Sequence, residues 1–557
     1  MAQTILRALL WFDLPLTAFA ASAILALGVA WEKNSALQAV LWLGAGLLTY
    51  LVLSRLCQRE NVWRAVARML VLCGAGVGLY VVLQYPYLGY DVKVASLARI
   101  GGAVGSLVPR FGGWTPMPNS VATLLGGLVP LAVALALERG RAGWRLVAAV
   151  SGLLTLLAIV LVASRGAWVA LLAACLAWAL AWGWTRRASL FGKLAVVGSV
   201  AAALLLVAAA SHLGTFSVGG FQLGGVFDRP DRLDVYRHSL VLIRDFPFTG
   251  IGPGDQFAMV LSRYVLLIQV PFLSYAHNLY LNLWLELGLA GISSWVLLVG
   301  TVLAAILVGE RVALGVSFRG AWCGIVVVLV HGLMDARQFV DRWTWLPFFA
   351  LLGLLAAALR RERPRVTFGA ASVPVAAVLA FLTVVLVSLR PLEATWQANL
   401  GMLAEARAEL GALPPEGRAR ALTEARQHFE RAIQLNPQQP TARRRLGLLA
   451  MDEGRFEEAR ANLQLAWQAD GTNPATRKAF GLACAWDGDI ELASGLLRPV
   501  EGIVEELNAW TWYWEQQGRQ AQAIYALQVS LRLRPGQPEV ARRLADLESR
   551  RTPKHNE

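Results

Sequence analysis

The chain has 557 residues, with 51 Lys and Arg against 37 Asp and Glu; 56% of residues are hydrophobic and 16% charged. A soluble globular chain is about a quarter charged, so this composition excludes an ordinary cytosolic protein, a disordered chain and a disulfide-rich secreted module. A mean hydropathy of +0.51 with 21 Trp points instead to a polytopic membrane protein. Residues 390–557 hold 22 basic and 22 acidic side chains, so residues 1–389 hold 29 and 15 and carry the whole excess of +14. In a membrane chain that excess sets loop topology, and it does not argue for nucleic acid.

A spanning helix needs about 20 mostly apolar residues. In chain order, spans are expected at 14–30, 36–53, 69–84, 119–137, 143–163, 166–184, 190–210, 289–308, 320–334, 343–359 and 370–389. The expected fold is therefore all-α. A transmembrane bundle of about 11 spans fills residues 1–389, interrupted by a large outer loop at 211–288, and a separate helical domain fills 390–557. With the N-terminus in the cytoplasm, the inner segments hold 17 basic and five acidic residues and the outer segments 12 and 10. Every inner loop is then positive, as membrane topology requires. An odd number of spans puts residues 390–557 outside. Ala18-Phe19-Ala20 has the form of a signal-peptide cleavage site, but Asp13 interrupts the apolar run, so an uncleaved first helix is expected. The five cysteines contain no C-x-x-C, which indicates neither a zinc site nor a disulfide within the tail.

The tail is repetitive. Pro440 opens a unit with Leu446-Gly447, Gly454, Ala459, Leu463 and Ala466. Starting 34 residues on, Pro474 opens another with Phe480-Gly481, Gly488, Ala493, Leu497 and Val500. Gly518, Ala523, Leu527 and Pro535 mark a shorter unit, and Ala425, Phe429, Ala432 and Pro437 match the second half of an upstream one. Small residues let paired helices cross closely, and glycine makes the turn. The pattern resembles the tetratricopeptide repeat family, whose stacked arrays bind partners and rarely do chemistry. Asp487-Gly488-Asp489 has the look of a metal motif but falls on a repeat turn, which is its expected role.

The segment 211–288 is where chemistry is expected. Gly250, Gly252 and Gly254 superficially suggest a phosphate cradle. No strand precedes them and no Lys-Ser/Thr follows, so a turn is expected rather than a P-loop. The apolar stretch 257–272 is expected on the membrane surface. Arg232 lies one helical turn before Tyr236, with Arg229 and Arg237 nearby. A guanidinium is always charged and presents a planar fork that suits phosphate oxygens. The alternative is headgroup contact or pairing with Asp228, Asp231 and Asp234. Arg165, in Ser164-Arg165-Gly166-Ala167, stands between two apolar runs, where a charge is costly and marks function by default. The alternative is snorkelling to the interface. His277 can accept a proton near neutral pH, although a lone histidine is more often structural. His331 and Asp335 share a helix face and can pair with each other or support a site. No His/Asp/Glu cluster has metal-ligand spacing, so no metal is expected.

Taken in order, Pro118-Asn119, Ser164-Arg165-Gly166-Ala167, Arg232 before an aromatic, Pro247–Gly254, His277-Asn278-Leu279-Tyr280-Leu281 and Glu286-Leu287-Gly288 resemble the O-antigen ligase and O-antigen polymerase superfamily over about residues 115–345. The resemblance implies a membrane glycosyltransferase of the bacterial inner membrane. Such an enzyme moves a glycan from a polyprenyl (undecaprenyl) diphosphate carrier to an acceptor hydroxyl on the outer side, with inversion and with neither metal nor cofactor. It implies that Arg165 and Arg232 bind the donor diphosphate and that His277 is the general base. Arg229, Arg237, Asn278 and Asp335 would be supporting residues. Its partners would be the lipid-linked donor, a glycan, lipid or protein acceptor, membrane lipids, and a protein gathered by the repeat tail. Protein O-oligosaccharyltransfer with the same donor, or a non-catalytic scaffold for envelope assembly, are the alternatives.

Overall fold

The computed structural model describes residues 12–89, 94–111, 113–114, 117–185, 217–218, 221–222, 230–265, 273–311, 315–362 and 368–551. They are almost wholly helical; the only described ladder pairs Ser217–Val218 with Phe221–Gln222. Two compact units separate, one of residues 1–240, 249–256 and 274–384, the other of residues 241–248, 257–273 and 385–557.

The first unit contains, in order, α1 (Asp13–Ala26), α2 (Lys33–Leu56), α3 (Glu60–Gln84), α4 (Ala95–Gly105), α5 (Pro118–Leu137), α6 (Ala142–Leu161) and α7 (Arg165–Thr185). After these come most of α8 (Pro230–Asp245), the start of α9 (Gln256–Val265), then α10 (Leu279–Arg311), α11 (Val316–His331), α12 (Leu346–Glu362) and α13 (Phe368–Ser388). Among the described residues, six helices are long and apolar enough to cross a membrane, or up to seven with one bent pair. Every expected span except 190–210 coincides with a helix; 190–210 lies outside the described residues. On α2 and α6, Leu41, Leu48, Leu146 and Leu153 turn outward with more than half their surface exposed. Such faces suit lipid and not water. Helices α5 and α12 are largely enclosed.

Close packing explains the glycines of α11. A Cβ on Gly324 would lie 2.1 Å from the carbonyl oxygen of Gly127, and one on Gly320 would lie 2.3 Å from Cβ of Ala134. Four residues apart, they share one face and let two backbones touch, as small residues do between membrane helices. Asp13, which breaks the first apolar run, is neutralised by the buried Arg360 at 2.6 Å and accepts the Tyr50 hydroxyl at 2.6 Å.

The expected loop 211–288 ends at residue 278, ten residues early. Asn278 Oδ1 accepts the N–H groups of Tyr280 and Leu281 at 3.0 and 3.1 Å and so starts α10. The polar residues that made 279–288 read as loop satisfy one another inside it, Asn282 Nδ2 donating to Glu286 Oε1 at 2.9 Å. Gly288, at φ 64°, then breaks the helix. The freed Leu285 carbonyl accepts Ile251 N–H at 2.6 Å. The Gly250–Gly254 segment is thus a turn, with φ of 65°, 92° and 90° at its three glycines. Phe257, Val260 and Leu261 are buried in protein, against the expectation of a membrane-surface stretch; residues 266–272 lie outside the described residues.

The second unit stacks helix pairs: Leu392–Leu410 with Pro415–Leu435, Pro440–Asp452 with Phe456–Ala469, Pro474–Asp487 with Ile490–Leu497, and Ile503–Gln516 with Gln520–Leu533. Gly447 and Gly481 admit Leu463 and Leu497 where a Cβ would stand 2.6 Å from each side chain. Gly454, Gly488 and Gly518 make the turns at positive φ. Asp487 and Asp489 flank one such turn and pair with Arg460 at 3.0 and 2.7 Å, a structural use of the D-x-D sequence.

Asp245 belongs to this unit. It is almost fully buried, pairs with Arg444 Nη2 at 2.5 Å and accepts the Thr441 hydroxyl at 2.9 Å. Removing one member of a buried pair strands the other charge, at a cost of about 3–5 kcal/mol. Asp245→Ala in the full chain is expected to lower the melting temperature of the repeat unit, and Asp245→Ala with Arg444→Leu to recover part of the loss; melting of the three proteins followed by circular dichroism checks this.

Candidate active site

Asn119, Arg232 and His277 meet around Asp335, four positions beyond the end of α11. Its carboxylate is 2% exposed. Asp335 N–H donates to the His331 carbonyl at 3.1 Å, which continues the last helical turn, and Oδ1 accepts Ala336 N–H at 2.8 Å. Oδ2 faces inward and gathers three remote groups. Asn119, at the start of α5, donates its amide to it. Arg232 Nη2, from the first turn of α8, lies 3.9 Å away. His277 Nδ1, just before α10, also lies 3.9 Å away. At that distance the histidine approach is electrostatic and not a formed hydrogen bond. All of these residues lie in the first unit.

Each partner is held by its own scaffold. Arg232 Nη1 donates to the Met334 carbonyl at 3.0 Å. Tyr236, one turn on along the same face, donates its hydroxyl to the His277 carbonyl at 3.1 Å. His277 has φ of 51°, a region costly for a residue with a Cβ and frequent at functional sites. Its ring lies against Tyr275, with centroids 4.1 Å apart, and it is partly exposed. Asn278 Nδ2 donates to the Leu333 carbonyl at 2.9 Å, so Asn278 locks the segment after the histidine to the segment before Asp335.

Arg165 is half-buried at the first position of α7. Its neighbour Ser164 donates to Asn119 Oδ1 at 3.0 Å, and Asn119 in turn donates to Asp335. A Cβ on Gly166 would lie 3.4 Å from the His331 ring and 3.5 Å from Met334. The start of α7 therefore abuts the same corner. Arg237 does not join it; it is exposed and pairs with Asp234 at 3.0 Å. Arg229 lies outside the described residues. Two residues of the site escaped sequence reasoning. Asn119 was part of the ordered motif but had no role, and Tyr275 had no signal apart from standing two residues before His277.

Burial by itself pushes the Asp335 acid toward its protonated form. The adjoining His277, the His331 ring and the Arg232 guanidinium overcome this and hold the carboxyl well below the usual carboxylate range. Burial pushes the Tyr275 and Tyr236 phenols up, so both stay protonated donors at neutral pH. The arrangement offers a fixed anion, a guanidinium with donors to spare and an imidazole whose Nδ1 is the ring nitrogen on the anion's side. Such a set can neutralise a phosphorylated leaving group and accept a proton.

Residues 150–296 match the O-antigen ligase family model. Residues 418–478 match a tetratricopeptide-repeat model. No curated protein matches the chain. The ligase match takes in Arg165, Arg232 and His277, while Asn119 and Asp335 lie on either side of it. The chain is a multi-pass membrane protein with a ligase-like segment and a repeat tail, and these findings support an O-antigen ligase-type glycosyltransferase.

Because the Asp335 carboxyl is depressed in the fold, its ionisation favours the folded state above the unfolded value of about 3.9. Asp335→Asn is expected to be less stable than the natural chain throughout pH 5 to 8. The margin closes as pH falls below about 4. Thermal melts of both proteins across that range check the sign.

Proposed function

We propose that this chain transfers a glycan from a polyprenyl diphosphate to an acceptor hydroxyl at the outer face of the bacterial inner membrane. The observation that carries this reading is the convergence of Arg232 and His277 on the buried Asp335, with Gly166, the residue after Arg165, against the same corner. The charge distribution supports a cytoplasmic N-terminus and a repeat tail outside.

In the proposed reaction Arg232 and Arg165 hold the diphosphate. Arg232 uses one nitrogen on the Met334 carbonyl and keeps other N–H donors for phosphate oxygens. The acceptor oxygen attacks the anomeric carbon from the face opposite the leaving group. The new C–O bond forms as the bond to phosphate oxygen breaks, and the electron pair leaves with the diphosphate, giving inversion. His277 Nε2 takes the acceptor proton while Nδ1 faces Asp335, which stabilises the imidazolium and positions the ring. A diphosphate is already a good leaving group and needs its charge neutralised more than it needs a proton, so no step requires a metal. The acceptor hydroxyl is a poor nucleophile, and a positioned base is worth about 100–10,000-fold.

The test is transfer by the purified full chain from a polyprenyl-diphosphate-linked glycan to candidate acceptors in the presence of chelator. Turnover is expected to survive chelation, to fall about 100–10,000-fold in His277→Ala, and to show a raised KM for donor in Arg232→Gln. Dependence on a divalent ion, or full activity in the combined Arg165, Arg232 and His277 variant, would falsify the mechanism. The repeat tail favours a second reading in which the acceptor is a protein. Mass spectrometry of the host envelope after gene deletion separates the two: shortened or unligated glycan marks the first, unglycosylated protein the second.

A further inference from the structure

At the far end of α5 from Asn119, the ends of three helices bring arginines together around a small recess. Arg64 and Arg68 come from the second and third turns of α3, Arg139 and Arg141 from the link between α5 and α6, and Arg145 from the first turn of α6. Among the described residues, Glu138 is the only acid lining the recess, against five arginines. It is already engaged, with Arg64 Nη2 at 3.2 Å and the Ser317 hydroxyl at 2.8 Å; Arg64 also meets Glu60 at 2.5 Å. Among the described residues, no carboxylate lies within ion-pair reach of Arg68, Arg139, Arg141 or Arg145.

Loop charges that serve topology alone have no need to converge. Here they do, and an aromatic ring holds one of them: the Arg68 guanidinium sits 4.7 Å from the centre of the Trp144 ring. The recess holds about 50 Å³, room for a few water-sized groups. That suits a phosphate and excludes an acyl chain. At its edge, Leu72 and Val147 line the recess and are exposed on α3 and α6, where hydrocarbon would cover them. Unpaired positive charge at a helix end, a ring at the interface and an apolar track leading away match the parts of one molecule.

We propose that this recess binds the phosphate headgroup of an anionic glycerophospholipid, with its chains lying along Leu72 and Val147. The leaflet is the one opposite the candidate active site, since α5 runs from Asn119 to Glu138 between the two. The inference does not depend on the transfer chemistry.

Native mass spectrometry of the full chain, with cardiolipin, phosphatidylglycerol, phosphatidylethanolamine or inorganic phosphate added in turn, tests it. The two anionic lipids are expected to leave bound adducts and to raise the melting temperature, and phosphatidylethanolamine and inorganic phosphate to do neither. The triple variant Arg68→Gln, Arg139→Gln, Arg141→Gln should hold about tenfold less anionic lipid and lose the thermal shift. Its melting without lipid stays unchanged, which separates lost binding from lost folding. Arg99→Gln, exposed on α4, should behave as the natural chain does. Equal retention of phosphatidylethanolamine, undiminished binding by the triple variant, or an adduct with inorganic phosphate alone would overturn the proposal.

Discussion

A carboxylate removed from water inside a protein must be met by cations and donors, because an unpaired buried charge costs several kcal/mol. Asp335 imposes that demand on the first unit. Its Oδ2 fixes where the Asn119 amide, the Arg232 guanidinium and the His277 ring stand, and through Asn119 it reaches Ser164 beside Arg165. The polar corner is thus assembled by one anion and not by four independent placements. The same anion places a guanidinium and an imidazole side by side.

A guanidinium already paired with a carboxylate is a poor ligand for phosphate if the pair is tight. The geometry avoids this. The 3.9 Å separation of Arg232 and Asp335 is long for a bidentate pair, whose N–O contacts are about 2.7–2.9 Å, and the hydrogen bond that positions Arg232 goes to a neutral carbonyl. The arginine is oriented without being fully neutralised. His277 stands likewise near the anion without a short bond to it, and its left-handed backbone is held by Tyr236 on its own carbonyl and by Asn278 on the next residue. Neighbours that each make ordinary hydrogen bonds stabilise a conformation that an isolated histidine would rarely adopt.

What was legible in the sequence follows from which features are local. The helical spans are, because an apolar run records its own burial; so are the repeats, because a 34-residue recurrence of small residues and glycine turns is a one-dimensional pattern. Arg165, Arg232 and His277 stood out because each is polar where its surroundings are not. Asn119 did not, since its role appears only when Asp335, 216 positions later, folds back onto it. The end of the expected loop 211–288 was misplaced because Asn282 and Glu286 look like loop residues until their mutual hydrogen bond is seen. Arg237 was expected to support Arg232, yet five positions along a helix turn a side chain far round, and it faces solvent with Asp234.

Helix α5 sets the vertical scale. Its 20 residues rise about 30 Å at 1.5 Å each, roughly the thickness of a bilayer's hydrocarbon core. Asn119 at one end and Glu138 at the other therefore belong to opposite interfaces, and neither polar cluster lies at mid-depth. That placement removes the main objection to so many charges in an apolar protein. At an interface, a carboxylate, an imidazole and guanidinium groups meet phosphate and water on one side and packed protein on the other. The same residues moved half a helix inward would require each charge to be satisfied by protein alone. The length of one apolar helix thus sets two polar sites apart and puts each where a phosphorylated lipid presents its headgroup.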